Sequence, residues 1–172
     1  MWSLSTPLLA QDAFTKSVPS VSMVPAAIET ITRGKSGTVD LQFRIPRGYH
    51  VNSHSPKSQF LVPTSLKLTA PTDILIGKVA YPPGEEMNFD FAPDEKLSVY
   101  TEAFILRVSV RPLAGVVPGK YAVRGRLRYQ TCDTAACYPP KQLPVSFEVR
   151  IAKGAVAAPA KRNPRQSPHV HR

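Results

Sequence analysis

Two alternating stretches near the end of the chain set the strongest limit on its fold. In Tyr121 to Gln130, YAVRGRLRYQ, the residues Tyr121, Val123, Leu127 and Tyr129 alternate with Ala122, Arg124, Arg126, Arg128 and Gln130. In Leu143 to Ile151, LPVSFEVRI, the residues Leu143, Val145, Phe147, Val149 and Ile151 alternate with Pro144, Ser146, Glu148 and Arg150. A period of two places one set of side chains on a core and the other in water, the signature of a half-buried strand. The two arms predict a hairpin, and the segment that joins them holds both cysteines of the chain, Cys132 and Cys137.

Upstream, Thr38 to Ile45, TVDLQFRI, repeats the alternation with Val39, Leu41, Phe43 and Ile45 facing inward. Further strands are predicted at Ala27 to Thr32, Ser65 to Thr69, Asp73 to Tyr81 and Ala103 to Leu113. Turn signals such as IPRG, YPPGEE and VPGK separate them, and the 18 prolines against 9 glycines favour short extended segments over long helices. With 172 residues and 42% hydrophobic content, the chain is long enough for one domain with a core. The fold class expected is all-β, an immunoglobulin-like antiparallel β-sandwich. The domain is expected over 25–152, after an N-terminal segment 1–24 and before a tail 153–172. Tyr81 to Lys96, YPPGEEMNFDFAPDEK, has no regular pattern and reads as a long loop, the kind of element that carries function on a rigid sandwich.

The formal charge of +10 invites a nucleic-acid reading, but half of it lies in Lys153, Lys161, Arg162, Arg165 and Arg172, with no acid among them. That tail is rich in Ala and Pro and lacks apolar periodicity, so it reads as a disordered linker that touches anionic surfaces weakly at most. No nucleic-acid recognition motif occurs and no aromatic residues interleave with the basic ones, so no nucleic-acid partner is expected. No run approaches the roughly 18 apolar residues of a membrane span, because Arg107 and Arg111 interrupt the most apolar region. The chain is expected to be soluble. Its start, MWSLSTPLLAQDAF, has a short apolar stretch without a basic leading region, and reads equally as the end of a secretory signal or as an irregular N-terminus.

Four residues separate Cys132 from Cys137, which is not the thioredoxin-type CxxC spacing. A disulfide here closes a very short loop and stabilises by roughly 2 kcal/mol at most, which a sandwich with this core does not require. A loop at a hairpin end leaves both sulfurs near the surface, open to exchange with another thiol. Spacing and position leave a structural clip and a redox pair in balance. A metal site would join the cysteines to His50 and His54 of GYHVNSHSP, whose spacings zinc tolerates, yet nothing in the sequence brings the two pairs together, and both histidines read as easily as loop residues. No metal is expected.

The run YQTCDTAACYPP closely resembles the active-site hairpin of the N-terminal periplasmic domain of DsbD, the protein-disulfide reductase, through Tyr129, Gln130, Cys132, Cys137, Tyr138, Pro139 and Pro140. Pro46 to Pro56, PRGYHVNSHSP, resembles that family's early segment, and the likeness extends over Ala27 to Ala152. The resemblance implies an immunoglobulin-like domain in the periplasm or otherwise outside the cytoplasm, where such disulfides persist. It implies a domain without bound cofactor that takes electrons from a thioredoxin-like donor and passes them to oxidised periplasmic proteins. Cys137 is then the exchanging thiol and Cys132 its resolving mate, with the flanking tyrosines, Gln130 and the two stiff prolines in support.

The family covers its cysteines with a loop bearing an aromatic ring, which an accessible disulfide needs as a shield until a partner docks. The corresponding segment is MNFDFAPDEKLSVY, with Phe89 or Phe91 as the cap and Asp90, Asp94 or Glu95 as a nearby carboxylate. Two features depart from the family. The cysteine spacing is one residue shorter than in the best-known members, and this chain continues into a basic tail rather than a membrane domain, so its electrons are expected from a separate protein. The rival expectation is a non-enzymatic sandwich that binds a partner and keeps the disulfide as a permanent clip.

Overall fold

The structure is a computed structural model that describes residues 20–154; most of the expected N-terminal segment and tail lie outside them. The chain order is β1 (Ser22–Met23), β2 (Glu29–Thr32), β3 (Gly37–Arg44), β4 (His50–Asn52), β5 (Ser65–Thr69), β6 (Ile74–Ala80), β7 (Glu85–Phe89), β8 (Ala92–Thr101), β9 (Ala103–Pro112), β10 (Gly119–Tyr129), β11 (Thr131–Cys132) and β12 (Lys141–Ala152). The described residues contain no helix.

Two four-stranded sheets, β1-β3-β9-β6 and β2-β12-β10-β5, face each other in an immunoglobulin-like β-sandwich. The period-two alternation of the sequence builds its core directly. Val39, Leu41 and Phe43 of β3 and Leu106 and Val108 of β9 meet Val123 and Leu127 of β10 and Val145, Phe147 and Val149 of β12. Phe43 stacks on Phe104 at 5.2 Å, and Tyr100 extends the aromatic layer at 4.8 Å from Phe104. The pairing is antiparallel except where β2 lies parallel to the end of β12. In β10, a Cβ at Gly125 would lie 2.1 Å from the carbonyl oxygen of Lys67, so only glycine lets β5 pair at that point. The fold reaches back beyond residue 25, the start expected from sequence. Val21 is buried, its N–H is held by the Tyr129 hydroxyl at 3.2 Å, and β1 pairs with β3.

A third, smaller sheet, β11-β4-β8-β7, stands at one end of the sandwich. It corrects the reading of Tyr81 to Lys96 as a loop, because β7 and the first half of β8 form a hairpin that closes between Phe89 and Ala92. The hairpin is invisible to a periodicity search because it has no continuous buried face. Glu85–Asn88 and Pro93–Lys96 are exposed, and only Phe89, Leu97 and Val99 enter a small second core, with Leu61, Phe91 and Ala92 against them. β4 and β11 also go unread in the sequence, being too short to show a period.

Candidate functional site

The cysteine segment is a miniature hairpin of its own beyond the β10–β12 arms. Tyr138 N–H donates to the Thr131 carbonyl at 2.9 Å, and Asp133 N–H donates to the Ala136 carbonyl at 3.0 Å. Between those bonds Cys132 and Cys137 oppose each other at a non-hydrogen-bonded position, where antiparallel chains approach most closely. Their Cα atoms are 4.0 Å apart and the sulfurs are joined in a disulfide. The Asp133 carboxylate accepts the N–H groups of Ala135 (2.8 Å) and Ala136 (2.9 Å), a side-chain turn that closes the tip. Its other oxygen accepts the Tyr138 hydroxyl, and this hydrogen bond, with burial and the carboxylate charge, raises the Tyr138 pKa above that of ordinary tyrosine.

The two sulfurs are not equivalent. The sequence places both near the surface, but Cys132 is 0% exposed, and Cys137 is only half-buried. The difference arises because β11 is not a free loop. It pairs with β4, setting Thr131 opposite Val51 and Cys132 opposite His50, while the return through Cys137 forms the outer edge. Gln130 locks this arrangement. Its Oε1 accepts from Asn52 Nδ2 (3.0 Å) and Val62 N–H (3.1 Å), and its Nε2 donates to the Tyr138 carbonyl (3.2 Å).

His50 is central to the site, and it is a strand residue rather than a loop residue. It is 4% exposed, its Nε2 has no hydrogen-bond partner, and its side chain shares a face with that of Cys132 across the strand pair. Burial lowers its pKa to about 4, partly opposed by the negative charge of Asp133. Phe89 covers the imidazole, with ring centroids 4.1 Å apart and planes at 20°. Because His50 pairs with Thr101, a straight hairpin at about 3.3 Å per residue would carry its tip some 30 Å away. The ring contact therefore requires the hairpin to curl back over β4, helped by the register shift between Met87 and Phe89. Phe91 stacks on the outside of Phe89 at 5.4 Å.

The other residues singled out in the sequence lie as follows. Tyr129 is buried in the main core and ties down Val21. Tyr138 faces Tyr49 at 6.3 Å, and Pro139 and Pro140 are exposed on the approach to β12. Asp90, Asp94 and Glu95 are exposed on the curled hairpin, whereas the carboxylate bonded to Tyr138 is that of Asp133. His54 is engaged elsewhere, its Nδ1 at 2.9 Å from the Thr64 carbonyl and its ring on Tyr81 at 3.6 Å. His54 is therefore not brought together with Cys132, Cys137 and His50, the set that a metal site would need. Asp133 is the residue that sequence reading missed. Its signal was an Asp at the first position of a four-residue tip between two cysteines.

The family described as "Thiol:disulfide interchange protein DsbD, N-terminal" matches residues 19–148. Among solved structures, the chain is similar to the Neisseria meningitidis DsbD N-terminal domain in the reduced form, with 24% identity, covering 76% of this chain and 88% of that one at a TM-score of 0.40. It is similar to the structure of the complex between the DsbD N-terminal and PilB N-terminal domains from Neisseria meningitidis, with 26% identity, 72% and 80% coverage and a TM-score of 0.40. The N-terminal periplasmic domain of ScsB from Proteus mirabilis shares 13% identity over 74% of this chain and 44% of that one, at a TM-score of 0.49. No curated protein sequence matches the chain.

Proposed function

This chain belongs to the DsbD N-terminal domain family of thiol-disulfide interchange proteins, and from that premise we propose that it relays electron pairs outside the cytoplasm through Cys137 and Cys132. A thiolate of a thioredoxin-like donor attacks the Cys137 sulfur. The Cys132–Cys137 bond breaks, Cys132 leaves as a thiolate and takes a proton, and the donor's second thiol releases Cys137. The reduced Cys137 then attacks the disulfide of an oxidised periplasmic protein, forming a mixed disulfide with one partner sulfur and breaking the partner's bond, so that the other partner sulfur leaves and takes a proton. Cys132 attacks Cys137 in turn, expels the second partner sulfur as a thiol and re-forms the internal bond. Two electrons and two protons pass from donor to acceptor, and no cofactor is needed.

One observation carries the division of roles: Cys132 is fully buried while Cys137 is half-buried, so Cys137 is the more accessible of the two to an incoming sulfur. Asp133, Tyr138 and Gln130 hold the backbone around Cys137 in a single conformation, a supporting role for Gln130 and Tyr138. Phe89 is the better candidate for the cap, since it lies directly on His50, beside the buried sulfur, while Phe91 lies outside it. We take 25–152, with β1 added, as the exchanging unit.

Trapping tests this reading. Cys132→Ser is expected to hold periplasmic proteins as stable mixed disulfides through Cys137, while Cys137→Ser captures far less. Capture by neither variant, together with a reduction potential below about −300 mV, would mark the bond as a permanent clip in a binding module.

A further inference from the structure

The outward face of the second sheet is a field of cations. β5, β10 and β12 present Lys67, Lys120, Arg124, Arg126, Arg128 and Arg150 there, all exposed. Lys67 stands directly opposite Arg126, and Lys120 directly opposite Arg150. Like charges opposed across strands destabilise a sheet, so folding does not account for the arrangement. Glu148 is the one carboxylate at an outward position of these three strands. The ion pairs among the described residues, Lys57 with Glu86 and Arg107 with Asp40, both lie elsewhere. The outward face of the first sheet pairs Arg107 with Asp40, whereas the six cations of this one share a single outward carboxylate, Glu148, on β5, β10 and β12.

We propose that this face docks on an anionic lipid surface. The remaining outward positions of these three strands are Ser65, Thr69, Ala122, Gln142, Pro144, Ser146, Glu148 and Ala152, so they carry no aromatic or large apolar anchor. A protein partner would need such anchors at the centre of its interface, and a single-stranded nucleic acid would need rings to stack on. A layer of anionic headgroups needs only several long cationic side chains in one plane, each contributing about fivefold in affinity. The field runs the length of β10 and β12, from Arg128 near the disulfide to Lys120 and Arg150 at the far end. A domain lying on this face keeps Cys137 at its edge, clear of the membrane and open to a protein partner.

The test is co-sedimentation of the full chain with vesicles of phosphatidylcholine alone or mixed with phosphatidylglycerol. Wild type is expected to sediment with the mixed vesicles only, and to be released as salt shortens the screening length to a few ångströms. The triple variant R124Q/R126Q/R128Q changes only exposed side chains, and its partition is expected to fall on the order of a hundredfold. Its melting transition reports on folding, and K67Q/K120Q gives a second, independent reduction of charge. The proposal is overturned if wild type ignores mixed vesicles at low salt, if it binds both kinds equally, or if the folded charge variants sediment as wild type does. Retention on an acidic protein without vesicle binding overturns it too, and assigns the face to that partner.

Discussion

Phe89 lies stacked on His50 with ring centroids 4.1 Å apart, and His50 is the cross-strand partner of Cys132. The aromatic cover and the buried sulfur are thus linked through one imidazole rather than by direct stacking on the disulfide. Removing the ring uncovers the imidazole that stands across the strand pair from Cys132. Phe89→Ala is expected to speed alkylation of the reduced cysteines severalfold and to cost about 3 kcal/mol in denaturant unfolding, because Phe89 centres the second core. Phe91→Ala, outside that ring, changes both less. Equal alkylation rates in wild type and Phe89→Ala would remove the ring from any shielding role.

His50 makes stability depend on pH. In the unfolded chain a histidine titrates near pH 6.5, and in the fold burial holds His50 at about 4. Between those values the unfolded chain binds more protons than the folded one, so stability rises with pH across the window. It is full above about pH 6.5 and falls by up to about 3 kcal/mol as pH drops to 4. His50→Phe keeps a ring under Phe89 but cannot titrate, and its stability is expected to be flat over the same range. Chemical denaturation at several pH values checks both slopes, and a wild-type slope retained in His50→Phe would assign the effect to another group.

Gln130 joins three segments through one amide, so its loss acts on all of them. Gln130→Ala leaves the Val62 N–H and the Tyr138 carbonyl without their partner and removes one acceptor from Asn52 Nδ2. At about 1 kcal/mol for each hydrogen bond, a destabilisation of about 2 to 3 kcal/mol is expected. Hydrogen exchange should rise most at Val62 and around the cysteine hairpin. Exchange that rises uniformly across the sandwich would show that the amide stabilises the whole fold rather than pinning the site.

Asp133 controls the ionisation of Tyr138. The hydrogen bond to its carboxylate is the largest cause of the raised Tyr138 pKa, so Asp133→Ala is expected to return Tyr138 toward the ordinary tyrosine value. Ultraviolet titration of the phenolate reads the change directly. The same variant loses two N–H acceptors at the tip, and the hairpin around Cys137 becomes more mobile. An unchanged Tyr138 titration would show that burial, not the carboxylate, sets its pKa.

The long strands were legible because each buries one face against a single core, and a period of two in Val, Leu, Ile and Phe records that directly. The seven predicted strands coincide with β2, β3, β5, β6, β9, β10 and β12, none running past its observed strand by more than two residues at either end. The YQTCDTAACYPP motif carried the family. The β7–β8 hairpin left no such trace, since most of its residues face water, and β4 and β11 are too short to show any period. Those were the elements that assemble the site, so the sequence pointed to the right cysteines while their surroundings stayed unread.

By itself the sequence determined the sandwich, the position of Cys132 and Cys137 between two of its strands, and the kinship that gives them a chemistry. Only the tertiary structure decided that the sulfurs differ in exposure, that His50 rather than His54 stands beside them, that Asp133 closes the tip, and that Phe89 folds over the imidazole. The reason is physical. Burial along a strand repeats locally every two residues, whereas the asymmetry of the disulfide depends on β4, β11 and a curled hairpin meeting across contacts between residues 39 to 82 positions apart, which no local pattern encodes.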